Sequence, residues 1–189
     1  MFRLKQYYLK LKGYFYPISK EWDNNNLSPE NINCYVERVL EYETEKYKDH
    51  KPTEEYILAS SGERINEDLR RGINNYKKIL EVFNKYKTKE NITVYRTVST
   101  RIYSLMEKNA KNLKGVDLFE LGILHTSLIK GYESREDGYK LRIRVKKETS
   151  AFYVGNLINE ESYYYEVILV NNIKLKIISI DDYINCEVV

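Results

Sequence analysis

The chain has 189 residues, of which 42% are hydrophobic and 31% charged, and its formal net charge is +3. That length suits one domain with a real core, and no apolar run approaches the roughly 20 residues of a membrane-spanning helix. Two histidines, and two cysteines (Cys34 and Cys186) at opposite ends of the chain, exclude a His-rich or Cys-spaced metal centre. The charges are interspersed and form no long basic tract, so nothing singles out nucleic acid as a partner. The first ten residues hold no unbroken apolar run of the kind a secretory leader needs. The chain is therefore expected to be cytoplasmic, or exported by a route that leaves no such signal, or already trimmed.

Residues 1 to about 55 read as helical. Leu4, Tyr7, Tyr8 and Leu11 make one stripe ending near Gly13. Ser28-Pro29-Glu30 reads as a helix start, followed by Ile32, Tyr35, Val36, Val39 and Leu40 at helical spacing. Asp23 to Asn26 and Lys51 to Thr53 read as loops. Ser60 and Glu63 fit a capping box for a helix whose stripe runs through Ile65, Leu69, Ile73, Tyr76, Leu80 and Phe83. Gly72 marks a kink or a break in it.

After residue 91 the period changes to two. Ile92, Val94, Arg96 and Val98 share one strand face, so Arg96 sits among apolar neighbours. A guanidinium there needs an acid or a bound anion; a structural ion pair or an exposed strand end accounts for it equally. Residues 101–113 read as a helix and Ile123 to Leu128 as a short strand carrying hydroxyls. Leu141 to Val145 and Ala151 to Val154 are two further strands. In the stretch from Glu161 to Val170, Val167 and Leu169 face one way, and Glu166, Ile168 and Val170 face the other. Asn171-Asn172 reads as a turn, with Ile173 to Ile177 as the strand returning from it. Glu166 stands where a loop becomes a strand. It is either a solvated strand residue or a carboxylate fixed to stabilise developing positive charge. Helices first and short strands later make an α+β protein with mainly antiparallel sheets.

Five segments in order, from about Tyr56 to Ile180, resemble the mono-ADP-ribosyltransferase exoenzymes of the clostridial binary-toxin and C3-like group. Ile65-Asn66-Glu-Asp-Leu69-Arg70 is similar to the family's "IN..LR" helix. Ile92-Thr-Val-Tyr-Arg96 resembles the strand ending in its NAD-binding arginine. Gly122 to Leu128 resembles the strand carrying Ser-Thr-Ser, with His125 at the first serine and Thr126 and Ser127 matching. Leu141 to Lys146 with Ala151 to Tyr153 resembles the core strand pair. Tyr164-Tyr-Glu166-Val-Ile-Leu resembles the motif ending in the catalytic glutamate, with Tyr164 where the family has Glu or Gln. The family's aromatic in the capping helix falls on Gly62.

The resemblance implies a fold of two small antiparallel sheets forming a cleft, preceded by N-terminal helices. It implies one domain over residues 1–189, with a helical part to about residue 55 and a catalytic core from 56. It implies transfer of ADP-ribose from NAD to a macromolecule, a protein by preference, with no metal. Glu166 would stabilise an oxocarbenium-like centre and hold the ribose, and Arg96 would bind the diphosphate. Asn66 and Arg70 would lie at the cleft rim, and Arg96, Thr126, Ser127 and Glu166 would line it. His125 would replace the serine as a donor to Glu166, and Tyr164 would meet the target side chain. A non-catalytic docking domain of the same fold and an NAD glycohydrolase are the alternatives. No membrane partner is expected.

Overall fold

The computed structural model describes residues 2–23, 27–40, 64–73, 75–133, 137–154, 165–170 and 172–189. The capping box at Ser60 and Glu63, the Lys51 to Thr53 loop, Gly62 and Tyr164 lie outside the described residues.

Helix α1 spans Phe2–Phe15, α2 Ser19–Trp22 and α3 Ile32–Val39. The start at Ser28 and Pro29 is displaced by a few residues. Asn31 N–H donates to the Ser28 carbonyl at 3.2 Å, closing a separate turn, and the helix begins at Ile32. Residues 64–70 form α4, and the break at Gly72 separates it from α5, Lys77–Phe83. Ser99 caps α6, Thr100–Ala110, by accepting from the Ile102 N–H.

Among the described residues there are eight strands, six where the alternation puts them and two, β2 and β8, that were not expected: β1 Ile92–Val98, β2 Leu118–Glu120, β3 Leu124–Ser127, β4 Tyr139–Val145, β5 Ala151–Tyr153, β6 Glu166–Leu169, β7 Ile173–Ile180 and β8 Ile184–Val188. They hydrogen-bond in the order β2-β7-β8-β4-β1-β3-β6-β5. The α+β class with leading helices is as expected, but the two separate antiparallel sheets are not. The ladder is continuous, and β4 pairs with β8 in parallel. What divides it is a waist: β1 and β3 share one register pair, Tyr95 with Ser127.

The expected hairpin through Asn171 and Asn172 does not form either. Strand β6 has both edges taken, by β3 and β5, so β7 cannot return against it. The chain turns at Asn172 (φ 63°), and β7 crosses to the far arm to pair with β2 and β8.

A core lies on each face of the outer arm, β3-β6-β5, and the larger one continues across the waist, joining Leu124, Val167 and Leu169 to the far strands. Val94, Val98, Leu141, Ile143 and Cys186 pack with α3 and with Tyr103 and Met106 of α6. Ile168, Phe152, Val154 and Ile123 pack with Ile65 and Leu69 of α4 and Phe83 of α5. Burial on the order of 1.5–3 kcal/mol per large apolar side chain holds these layers together. It also brings α4 against the strand that Glu166 begins.

Candidate active site

Reading the register across the sheet gives one row of side chains on one face: Asn185 of β8, Arg142 of β4, Tyr95 of β1, Ser127 of β3 and Glu166 of β6. All are polar, and the row crosses the waist. Glu166 stands at its outer end, as the first residue of its strand. Tyr165, just before it, has φ 48°, the left-handed region that non-glycine residues seldom occupy. Its carbonyl accepts from the Leu128 N–H at 3.0 Å, and its ring meets Tyr132 edge-on at 5.2 Å. Sequence reasoning missed this corner, because no residue type announces it.

One carboxylate oxygen of Glu166, Oε1, contacts Nδ1 of His125, which faces the same side from β3. Both side chains are mostly buried, 15% and 17% exposed. With Glu166 ionised, Nδ1 is the donor. Nε2 is then an acceptor in the neutral ring and a second donor in the protonated one. It is buried without a protein partner, and among the described residues it is the one buried side-chain polar atom so placed. Such an atom calls for a ligand group or an ordered water.

The two hydroxyls of this segment act on the backbone. Thr126 Oγ1 donates to the Val167 carbonyl at 2.6 Å and so locks β3 to β6. Ser127 Oγ donates to the Ile129 carbonyl at 3.0 Å and accepts from the Ile129 N–H at 3.1 Å, closing the turn after β3. Strand alternation separates the residues expected in one cleft. Ser127 and Glu166 share a face with Tyr95 and His125. Thr126 and Arg96 alternate to the other face, where Arg96, half-buried, joins Val94 and Val98 on the side against which α6 packs.

Asn66 and Arg70 tie α4 to the link between β2 and β3. The Ile123 N–H donates to Asn66 Oδ1 at 2.6 Å, and a Cβ on Gly122 would lie 2.3 Å from the same oxygen, so only glycine fits there. Arg70 holds Glu120 with two parallel bonds, Nε to Oε1 at 3.0 Å and Nη2 to Oε2 at 2.9 Å. Glu120 is fully buried and also accepts from the Gly122 N–H at 2.8 Å. Nothing in the sequence around Glu120 distinguishes it from a surface acid. Beside this pair, α4 and α6 enclose a cleft of about 460 Å³ lined by Glu67, Arg70, Arg71, Arg101, Ser104 and Lys108 among others. Glu120 answers Arg70 and Glu67 answers Arg71, which leaves Arg101 and Lys108 to meet an anion there.

The inner end of the row is closed. Arg142, fully buried, donates from Nε to Asp23 Oδ1 at 2.7 Å and from Nη1 to Asn185 at 2.6 Å and Asp181 at 3.1 Å. Asp23 also accepts from Lys130 at 2.9 Å and Tyr95 at 2.8 Å. Burial works to raise the Asp23 carboxyl, but the hydrogen bonds from Lys130 and Tyr95 and the charge of Arg142 outweigh it and hold it below the usual carboxylate range. Tyr183 donates to Glu133 at 2.6 Å, and burial with that bond pushes its phenol up.

Solved structures of this architecture are toxin ADP-ribosyltransferases. Plx2a, an ADP-ribosyltransferase toxin from Paenibacillus larvae, is 21% identical with a TM-score of 0.58, over 85% of this chain and 96% of that one. The Clostridium limosum C3 exoenzyme is 20% identical with a TM-score of 0.58, over 89% and 96%. C3stau2 from S. aureus, solved with NAD, is 17% identical with a TM-score of 0.62, over 89% and 99%. At these identities the likeness is one of fold. No curated protein sequence matches the chain. The profile of the ADP-ribosyltransferase exoenzyme family matches residues 20–187, and the chain belongs to that family.

Proposed function

We propose that this protein breaks the nicotinamide–ribose bond of NAD and passes the ADP-ribose to a protein target, with Glu166 as the catalytic residue. The observation that carries the reading is the His125–Glu166 pair, set at a strained corner on an open end of the polar row. As nicotinamide leaves with the bonding electrons, positive charge develops on the ribose. Glu166 accepts a ribose hydroxyl and stabilises that charge. His125 holds the carboxylate by Nδ1 and offers Nε2 to the ligand. The basic cleft between α4 and α6 takes the diphosphate, and Arg96, which alternates to the face opposite Glu166, is left out of the site. Arg70 contributes its charge while bound to Glu120. Asn66, Thr126 and Ser127 are positioning residues, and Tyr164 meets the target side chain. The chain acts as one domain, its leading helices α1 to α3 running into the core, and the reaction calls for no metal.

The test is nicotinamide release from NAD, with and without cell lysate. Glu166→Gln keeps the shape of the side chain and removes its charge. Turnover should fall on the order of 10²-fold or more, with NAD binding nearly unchanged. Arg101→Ala/Lys108→Ala in the basic cleft should instead weaken NAD binding. Full turnover in Glu166→Gln sinks the catalytic assignment. NAD binding without turnover on any lysate makes the docking-domain reading the better one.

A further inference from the structure

The proposed chemistry makes no use of the outer face of α1. At about 100° per residue, Leu4, Tyr7, Tyr8, Leu11, Tyr14 and Phe15 fall within an arc of about 120°. This arc points away from the protein. Leu4 is 75% exposed, Tyr14 81% and Phe15 66%. The helix sits on β7 by its opposite side, through buried Leu9 and through Gly13. A Cβ on Gly13 would lie 2.0 Å from the Ile180 carbonyl oxygen, and Lys5 is tied to Asp117, so the seat does not allow the helix to roll its stripe inward. A surface helix normally buries such a stripe, and an apolar patch this contiguous marks an interaction site.

The borders of the arc say what it meets. Lys5 and Lys12 flank it on one side and Lys10 on the other. Residues 4–20 hold four lysines and no acidic residue. Four of the exposed rings, with Tyr16 just beyond the helix, are tyrosines. Their apolar bodies and wet hydroxyls suit a water–lipid boundary.

We propose that α1 is an interfacial helix that lays this arc into the headgroup layer of an anionic phospholipid membrane, with Lys10 and Lys12 reaching the headgroups while Lys5 stays on Asp117. The charge pattern favours lipid over a second copy of the chain. Two such helices face to face would bring lysine flanks together with no acid in residues 4–20 to pair them. Membrane partners were not expected because no segment is long enough to span, and no helix among the described residues is long and apolar enough to cross. An interfacial helix has no such requirement. Seat and site are also well separated. From β7 to β6 is five strand spacings, roughly 24 Å.

The test is co-sedimentation of the whole chain with vesicles of phosphatidylcholine alone or with about 30% phosphatidylserine, at low salt and at about 0.5 M salt. Two variants leave the core untouched, their side chains being exposed except for half-buried Lys12: Leu4→Gln/Leu11→Gln/Phe15→Gln and Lys10→Gln/Lys12→Gln. Circular dichroism and nicotinamide release, both unchanged, report that they fold. Wild type should bind anionic vesicles at least about tenfold better than neutral ones and lose that preference in salt. The apolar variant should lose about tenfold or more on anionic vesicles, and the lysine variant severalfold. Equal binding to both lipids, no binding, or wild-type binding by the apolar variant overturns the proposal. So does a stable dimer in vesicle-free solution that the apolar variant abolishes, which would assign the face to a second copy.

Discussion

The two ends of the polar row that crosses the sheet are built alike in residue type and oppositely in completeness. At the inner end a guanidinium, three carboxylates, a lysine and two tyrosines satisfy one another, and Arg142 is fully enclosed. At the outer end a carboxylate and an imidazole are left partly open, and Nε2 of His125 has no protein partner. A saturated network in low dielectric can specify a fold and has nothing left for a ligand. An unsaturated one is poor for stability and available for chemistry. Polarity and burial alone would not tell the two apart; the hydrogen-bond inventory does.

The largest effect should come from the closed end. Arg142→Met takes the buried cation from Asp181 and leaves Asp23 only the part-exposed Lys130, and should cost about 3–5 kcal/mol in chemical denaturation, while per-molecule turnover of the folded fraction holds. A loss under about 1 kcal/mol would mean that the network does not hold the sheet. At the open end, His125→Phe keeps a ring of similar size and removes the support of Glu166. Nicotinamide release should drop roughly 10-fold to 10²-fold with stability changed by under about 1 kcal/mol. A reversed pattern, stability lost and turnover kept, would erase the contrast between the ends.

A smaller effect separates the ends by pH. The folded Asp23 carboxyl lies below its ordinary value of 3.8. The stability it contributes is therefore present above about pH 3.8 and lost as pH falls through the folded value. Denaturation midpoints at pH 7, 5 and 3 should be nearly level between the first two and drop at the third, and the drop should shrink in Arg142→Met. The smallest effect tests the brace between the ends. Thr126→Val removes its bond to the Val167 carbonyl and should cost about 1 kcal/mol, with turnover lowered modestly through a looser β6.

Much was legible from the chain itself. The change of period near Asn91, the break at Gly72 and the alternation that turns Glu166 with Ile168 and away from Val167 all rest on local rules of spacing, and all are present. So was the resemblance that led to the family, since five short segments in order carry it. The same local rules misled at Asn171-Asn172, where a good hairpin turn joins strands that never pair. Whether β7 may return depends on which edges of β6 are vacant, and β3 and β5, from elsewhere in the chain, had filled both.

Spacing also placed Arg96 on the apolar face, but whether that face is Glu166's depended on how β1 registers on β3. A single pair, Tyr95 with Ser127, settled it. Local sequence sets what each segment can be, because backbone sterics and side-chain period act within a few residues. It cannot set which distant acid answers Arg142 or Arg70, or which stripe of α1 faces water. Those follow from long-range packing, where Gly13 seats against Ile180, Gly122 against Asn66, and the polar row closes only once five strands from separate parts of the chain lie side by side.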